Sequence, residues 1–273
     1  MPELPEVETL CTDLIKANIL NNQILDVSVD WEKTLNGMSL KEFRGKLIGS
    51  SFISLNRRGK YLVFKTDNNL YLLCHLRMSG SMRIKELNSQ KDKHDRILFT
   101  FKHLILSFHD PRKFGRVTLT ENSDVILNKL GVEPLTGALT KEYLMTRLQK
   151  TKRPIKSVLL DQSIIAGIGN IYADETLFAA KINPFRTAES LNEKEIEKLI
   201  YFIKEKLSDG IRMRGTSLGK GEGNFQSNGE FGHNQNNLLV FGKKGKPCVN
   251  CSHPIEKKII GQRGTHYCPI CQT

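Results

Sequence analysis

A chain of 273 residues with 39% apolar side chains can bury a sizeable core and divide into two domains. No run is apolar enough to span a membrane and no charged start followed by an apolar stretch marks a secretory signal, so a cytoplasmic protein is expected. Lys plus Arg number 41 against 29 Asp plus Glu, a net charge of +12. That balance points to a polyanion partner, nucleic acid first, with a merely solvated basic surface as the plainer alternative.

The first expected element is a helix over residues 4–18, with proline near its first turn, acids next, and an apolar stripe at Val7, Leu10, Cys11, Leu14 and Ile15. Ahead of it stand Met1, Pro2 and Glu3. Removal of Met1, which the small Pro2 permits, leaves a secondary amine with a pKa near ~8, partly neutral and nucleophilic at physiological pH. The positive end of the helix dipole beside it lowers that value further. Loose alternation at Ile24, Val27, Val29 and Trp31 opens a β-rich region. Short β-branched or aromatic runs follow at 47–55, 61–65, 70–76, 96–101, 104–108 and 117–120, and predict a sandwich or barrel of roughly eight strands.

Gly131, Pro134 and Gly137 mark a boundary. Helices are then predicted over 141–150, 154–161, 170–181 and 192–213, the last amphipathic through Ile196, Leu199, Ile200 and Ile203. A Gly- and Asn-rich loop over 215–237 reads as too polar to pack. The domains expected are a β-rich unit over 1–133, a helical unit with this loop over 134–237, and a cysteine-rich module over 238–273.

That module carries Cys248-x2-Cys251 and Cys268-x2-Cys271 with 16 residues between the pairs. Each x2 turn brings two thiolates to one metal, and the spacing is that of a tetrahedral zinc site. Two disulfides or a redox pair are the competing reading. From Lys243 onward the module has six Lys or Arg against one acid. Cys11 and Cys74 stand in apolar surroundings and read as buried free thiols.

Four further stretches carry possible chemistry. Arg57-Arg58-Gly59-Lys60 reads as a basic hairpin tip or as a phosphate clamp with Lys60 near a reaction centre. In His75-Leu76-Arg77-Met78-Ser79-Gly80 a methionine at a strand end is placed to protrude and wedge into a base stack rather than to fill a core. His109-Asp110-Pro111-Arg112-Lys113-Phe114-Gly115-Arg116 interleaves cations with an exposed aromatic, where the plain alternative is a charged turn. In Ala166-Gly167-Ile168-Gly169-Asn170, the glycines allow close backbone approach and Asn170 stands where the cap of a phosphate-binding helix start would be. The strand and third glycine of a dinucleotide fingerprint are missing, and Gly219-Lys220 fails the P-loop spacing.

Taken together these residues resemble the bacterial formamidopyrimidine-DNA glycosylase family. The likeness runs from Pro2-Glu3-Leu4-Pro5-Glu6-Val7-Glu8-Thr9 through Arg57-Arg58-Gly59-Lys60-Tyr61-Leu62, the Met78 stretch, Lys93-His94-Asp95, Asp110-Pro111-Arg112-Lys113-Phe114-Gly115 and the Gly167–Tyr172 stretch to the four cysteines with Arg263-Gly264-Thr265. It implies an α+β fold: an N-terminal β-sandwich with flanking helices, then a helix-two-turn-helix domain with a zinc finger, with DNA in the cleft. It implies a bifunctional enzyme that excises oxidised purines such as 8-oxoguanine and formamidopyrimidines and then cuts the strand by β,δ-elimination. On this resemblance Pro2 is the nucleophile, Glu3 protonates the sugar ring oxygen, Lys60 assists at the sugar and 3′ phosphate, and Arg263 serves the δ-elimination. Asn170 binds phosphate, Met78, Arg112 and Phe114 fill the gap left by the extruded base, and His75, His94 and Lys152 stand at further DNA contacts. Cys248, Cys251, Cys268 and Cys271 hold one structural zinc ion. The enzyme is expected to be a nucleoid-associated monomer that does not engage membranes.

The stretch Gly219-Lys220-Gly221-Glu222-Gly223-Asn224-Phe225-Gln226 departs from the family's lid loop, which leaves the ranking of lesions open. An endonuclease VIII relative acting on oxidised pyrimidines typically has glycine where this chain has Leu4. A non-enzymatic zinc-finger DNA-binding protein would need only the charge and the metal, and keeping Pro2, Glu3 and Lys60 argues against it.

Overall fold

The computed structural model describes residues 1–219, 225–227 and 229–273. Two compact units emerge: Met1–Leu127 with Met213–His233, and Asn128–Arg212 with Asn234–Thr273.

In the first unit, α1 (Leu4–Lys16) precedes β1 (Asp26–Val29) and α2 (Leu40–Leu47). The strands β2 (Phe52–Arg58), β3 (Tyr61–Thr66), β4 (Tyr71–His75), β5 (Ser81–Lys85), β6 (Asp95–Thr100), β7 (Ile105–His109) and β8 (Arg116–Thr120) follow, then the short α3 (Asp124–Leu127). They form two antiparallel four-stranded sheets, ordered β1-β6-β7-β5 and β2-β3-β4-β8. Phe52 packs against Phe64 of its own sheet, ring centres 4.8 Å apart, and meets Phe99 of β6 at 5.8 Å and Phe101 just beyond that strand. This aromatic layer joins the sheets as a sandwich, and Val7, Leu10, Cys11 and Leu14 of α1 with Phe43 and Leu47 of α2 close the same core, whereas Ile15, expected on that stripe, is exposed.

The expected strand over 47–55 is a helix end followed by a strand. Ser39 caps α2 in a capping box with Glu42, a start signal that the apolar run beyond it masks. β5 was not among the expected strands although Met82 and Ile84 alternate with polar neighbours: it is only five residues long, buries Met82 in the core, packs Ile84 partly against it, and takes its register from pairing with β7.

In the second unit α4 (Lys141–Leu148), α5 (Ile155–Leu159), α6 (Asn170–Ala180) and α7 (Glu193–Arg212) match the helical periodicity. α6 is buried nearly all round, and α7 buries Ile196, Leu199, Ile203 and Leu207 on one face. After the short strands β9 (Gln226–Ser227) and β10 (Glu230–Phe231) of the first unit, β11 (Glu256–Ile260) and β12 (Arg263–Tyr267) form the hairpin of the cysteine module. No helix among the described residues is long and apolar enough to cross a membrane.

Two expectations need correction. The described residues of the loop over 215–237 are not too polar to pack: Thr216, Ser217, Ser227 and Asn234 are buried. Its first part groups with the β-sandwich rather than with the helices, because Arg214 grips Asp13 of α1 through both guanidinium nitrogens, at 2.7 and 3.2 Å, and the Thr216 amide donates to Glu6 at 2.7 Å. The departing lid residues 220–224, and residue 228, lie outside the described residues. Asn170 is not the cap of α6 but its first residue, and Gly169 occupies the cap position.

Candidate active site

The N-terminal stretch is buried where α1 begins. Glu3 is the helix cap, in a reciprocal capping box in which its amide donates to Glu6 Oε2 at 2.7 Å while its carboxylate accepts the Glu6 amide. Pro2, Glu3 and Glu6 are all buried. The terminal amine, carried by Met1, is held below its ordinary value mainly by burial. Lys60 and Arg112 push it the same way, against Glu3 and Glu6. Those four side chains therefore share the environment of the chain's start.

Lys60 reaches that environment from the turn between β2 and β3. Arg58 faces Tyr61 in register, leaving Gly59 and Lys60 as a two-residue turn, and the φ of +56° at Gly59 is one that only glycine adopts cheaply. Arg57 ties the turn to α1: its Nε lies 2.5 Å from Glu8, and its Nη1 donates to the Gly59 carbonyl at 3.1 Å. Lys60 is only 6% exposed.

Met78 lies in a tight turn after β4. The Gly80 amide returns to the Leu76 carbonyl at 2.9 Å, and a Cβ on Gly80 would sit 2.5 Å from that oxygen. Met78 and Phe114 are exposed at 41% and 46%, against the core habit of both residue types. The Arg112 guanidinium lies over the Phe114 ring, 4.8 Å from its centre. His75 points its edge at Tyr61 and accepts the Arg77 amide on Nδ1 at 3.1 Å. Burial, with help from Arg77 and Lys60, drives its pKa from 6.5 to about 4, so the ring is neutral at pH 7. His94 braces Arg96, its Nδ1 lying 3.2 Å from the guanidinium.

The second unit gathers Asn170 and the Arg263 hairpin. Gly261 and Gln262, both at positive φ, turn β11 into β12, and Arg263 stands exposed at the strand's start. The carbonyl of the next residue, Gly264, accepts both Asn170 Nδ2 and Lys156 Nζ at 3.0 Å. Lys156 is fully buried and pairs with Asp174 at 2.7 Å, while Asp174 also accepts the His266 amide at 2.9 Å. Gln162 braces the glycine turn, receiving the Gly167 amide at 2.9 Å and donating to the Ile168 carbonyl at 2.8 Å. Lys152 is exposed.

The four module cysteines place their sulfurs within 4.8 Å of one another, with no disulfide. Cys248 and Cys271 are 3.8 Å apart, Cys251 and Cys268 3.5 Å, close to the ~3.8 Å separation that Zn–S bonds of about 2.3 Å impose on a tetrahedron. The donor set fits zinc. A cavity of about 730 Å³, lined by Arg83, Lys85, Lys91, Asp92, Asp95 and Gln226 among others, includes none of the predicted site residues.

The formamidopyrimidine-DNA glycosylase N-terminal domain matches residues 1–117, the formamidopyrimidine-DNA glycosylase H2TH domain residues 130–221, and the zinc finger found in FPG and IleRS residues 245–273. The formamidopyrimidine-DNA glycosylase of Protochlamydia amoebophila is 41% identical over 274 residues, spanning all of this chain and 99% of that protein. This chain belongs to the formamidopyrimidine-DNA glycosylase family. The protein of that name from Carboxydothermus hydrogenoformans is 42% identical over 272 residues and the full length of both chains. Lactococcus lactis Fpg in complex with DNA containing an abasic site superposes with a TM-score of 0.92 at 35% identity, covering 99% of each chain. Membership makes the protein a DNA glycosylase with an α+β fold and one structural zinc ion. All four corners of the zinc tetrahedron are cysteine, so the metal braces the β11–β12 hairpin and has no open position for water.

Met78 and Phe114 protrude as the sequence leads one to expect, whereas the groups that hold the candidate residues and their loops, Glu6, Asp13, Asp110, Lys156, Asp174 and Gln162, were not singled out by any pattern. Each acts on a partner distant in sequence, or across a turn whose path the sequence does not reveal. The capping spacing of Glu3 and Glu6 was the one local signal available.

Proposed function

We propose that the protein excises oxidised purines, 8-oxoguanine and formamidopyrimidines, from duplex DNA and then cleaves the strand at the resulting abasic site, using Pro2 as nucleophile. The observation that carries this reading is the burial of Pro2 beside the buried Glu3 carboxylate, with Lys60, itself only 6% exposed, acting on the charge of the same chain start. With Met1 removed, the Pro2 nitrogen attacks C1′, the glycosidic bond breaks and the base leaves. Glu3 protonates the ring oxygen, the sugar opens and an iminium forms between Pro2 and C1′. The iminium acidifies the C2′ proton, so the 3′ phosphate leaves by β-elimination and the 5′ phosphate by δ-elimination.

Lys60 assists at the sugar and 3′ phosphate, and Arg263 at the phosphate and the second elimination. Asn170, Lys152, His94 and His75 hold the backbone, His75 as a neutral hydrogen-bonding group. Met78, Arg112 and Phe114 occupy the space of the extruded base. The enzyme works as a monomer on the chromosome in the bacterial cytoplasm. Solved complexes of Lactococcus lactis Fpg with Fapy-dG DNA, at 35% identity, support the lesion class.

Borohydride trapping on an 8-oxoguanine duplex tests the reading. Wild type is expected to give a covalent adduct whose sequencing maps the linkage to Pro2, and Pro2→Gly is expected to lose it. No adduct from wild type, or one mapped to another residue, sinks the proposal.

A further inference from the structure

Two loops carry the three gap-filling side chains of the proposed function, and one buried carboxylate fastens both. Asp110 is 1% exposed. Its Oδ1 accepts the Ser79 hydroxyl at 2.5 Å and the Arg112 amide at 3.1 Å, and its Oδ2 accepts the Gly115 amide at 2.7 Å. Its backbone is anchored as well: the amide donates to the His94 carbonyl at 2.9 Å, and its own carbonyl accepts Arg96 Nε at 2.8 Å. The Arg112 bond is the one an Asp-led turn makes two residues on, and the Gly115 bond closes the same loop. The Ser79 bond is different, because it crosses to the loop that presents Met78.

The two loops share a second feature. The residue before each protruding side chain holds a left-handed backbone without being glycine: Arg77 at φ +54° before Met78, and Lys113 at φ +60° before Phe114. Such conformations persist only where surrounding bonds over-determine them. Lys113 is steadied by its ammonium 4.0 Å from the centre of the Trp31 ring, and Arg77 by the His75 acceptor. A carboxylate with three donors makes charge-assisted bonds, and moving one loop alone would strip a donor from a buried charge.

We infer that Asp110 and Ser79 are positioning residues that couple the Met78 loop to the Arg112–Phe114 loop, so that the gap-filling side chains enter the duplex as one body. This rests on the function proposed above. Met78→Ala, Phe114→Ala and the double variant are compared in the native and the Ser79→Ala backgrounds. Single-turnover excision of 8-oxoguanine is the readout, with 2-aminopurine beside the lesion reporting extrusion. Ser79 is partly exposed, so its loss of one hydroxyl leaves the fold in place. In the native background the double variant is expected to fall short of the product of the two single losses by at least about fivefold. In the Ser79→Ala background the losses multiply to within about twofold.

Asp110→Asn adds a second readout. It is expected to slow excision from paired duplex at least about tenfold more than cleavage of a preformed abasic site with no base opposite, where nothing has to be extruded. Equal coupling in both backgrounds, additivity in both, or equal losses on the two substrates overturns the inference while leaving the functional reading intact. A wild type that extrudes no lesion base overturns both.

Discussion

His75 shows how one buried ring links the site to stability. Its pKa falls from 6.5 to about 4 on folding, chiefly through burial. Between those values the unfolded chain binds the proton that the folded chain refuses. The stabilisation is therefore complete above pH 6.5 and is lost as pH falls toward 4, by about 3 kcal/mol. Asp95 acts in a lower window. Burial pushes its carboxyl up, but the nearby His109, whose Nδ1 lies 3.5 Å away, and bonds from Lys85, Ser107 and the Asp92 amide outweigh burial and hold it well below the usual carboxylate range, so its contribution begins to be lost only below about pH 4. Urea midpoints measured from pH 7 to pH 3 are expected to show the His75 step and then the onset of the Asp95 loss, and His75→Asn to remove the first; an unchanged upper step in the variant would refute this account. The two remaining thiols take no part. Burial pushes Cys11 up to about 12 and raises Cys74 as well, which keeps both protonated and inert. The exposure of Met78 and Phe114 was legible because an apolar side chain is out of place among the polar and basic residues of a loop, while Pro2 and Lys60 became candidates through the family resemblance. Asp110 was not, since an aspartate before a proline reads as an ordinary turn and its bond to Ser79 spans 31 positions.

Among the elements, α5, α6 and β12 are joined by one ion pair rather than by apolar contact alone. Lys156 of α5 pairs with Asp174 of α6, and Lys156 also donates to Gly264 and to Thr265 Oγ1 at 2.9 Å in β12. Both charges are fully shielded from solvent, so removing one strands the other. Lys156→Met is expected to destabilise the helical unit by about 3–5 kcal/mol, and adding Asp174→Leu to return much of that loss. Urea denaturation checks this; a cost below about 1 kcal/mol for the single variant means that the pair does not hold the hairpin that presents Arg263. The helices themselves were readable because an apolar face repeats at helical spacing, as in α7. α2 escaped because its eight residues bury only Phe43 and Leu47, too few to establish a period.

At the scale of the whole chain the charge of +12 becomes a measurable slope. With Lys60, Lys152 and Arg263 each neutralising a phosphate, log Kd for duplex DNA carrying an abasic-site analogue should rise with log salt with a slope of about 3. Arg263→Ala should lower the slope by about 1 at every sequence tested. A salt-independent Kd, or an unchanged slope in the variant, contradicts the phosphate role. The division into units shows the same contrast between local and distant information. Composition marked the boundary near Gly131, because glycine and proline punctuate locally. It could not show that 213–233 returns to the sandwich, since Arg214 meets Asp13 across 201 positions.

The sequence by itself determined the helices of the second unit, most of the strands and the zinc tetrad, and through a family resemblance it offered Pro2, Glu3, Lys60 and Arg263 as candidates. Helical period, Cys-x2-Cys spacing and a proline-glutamate start are all local patterns, and local patterns survive without a fold. Only the tertiary structure decided which carboxylates are buried, which lysine is paired, and which loops share a single anchor. Those properties come from desolvation and from bonds between residues far apart in the chain, and neither exists until the core has closed around them.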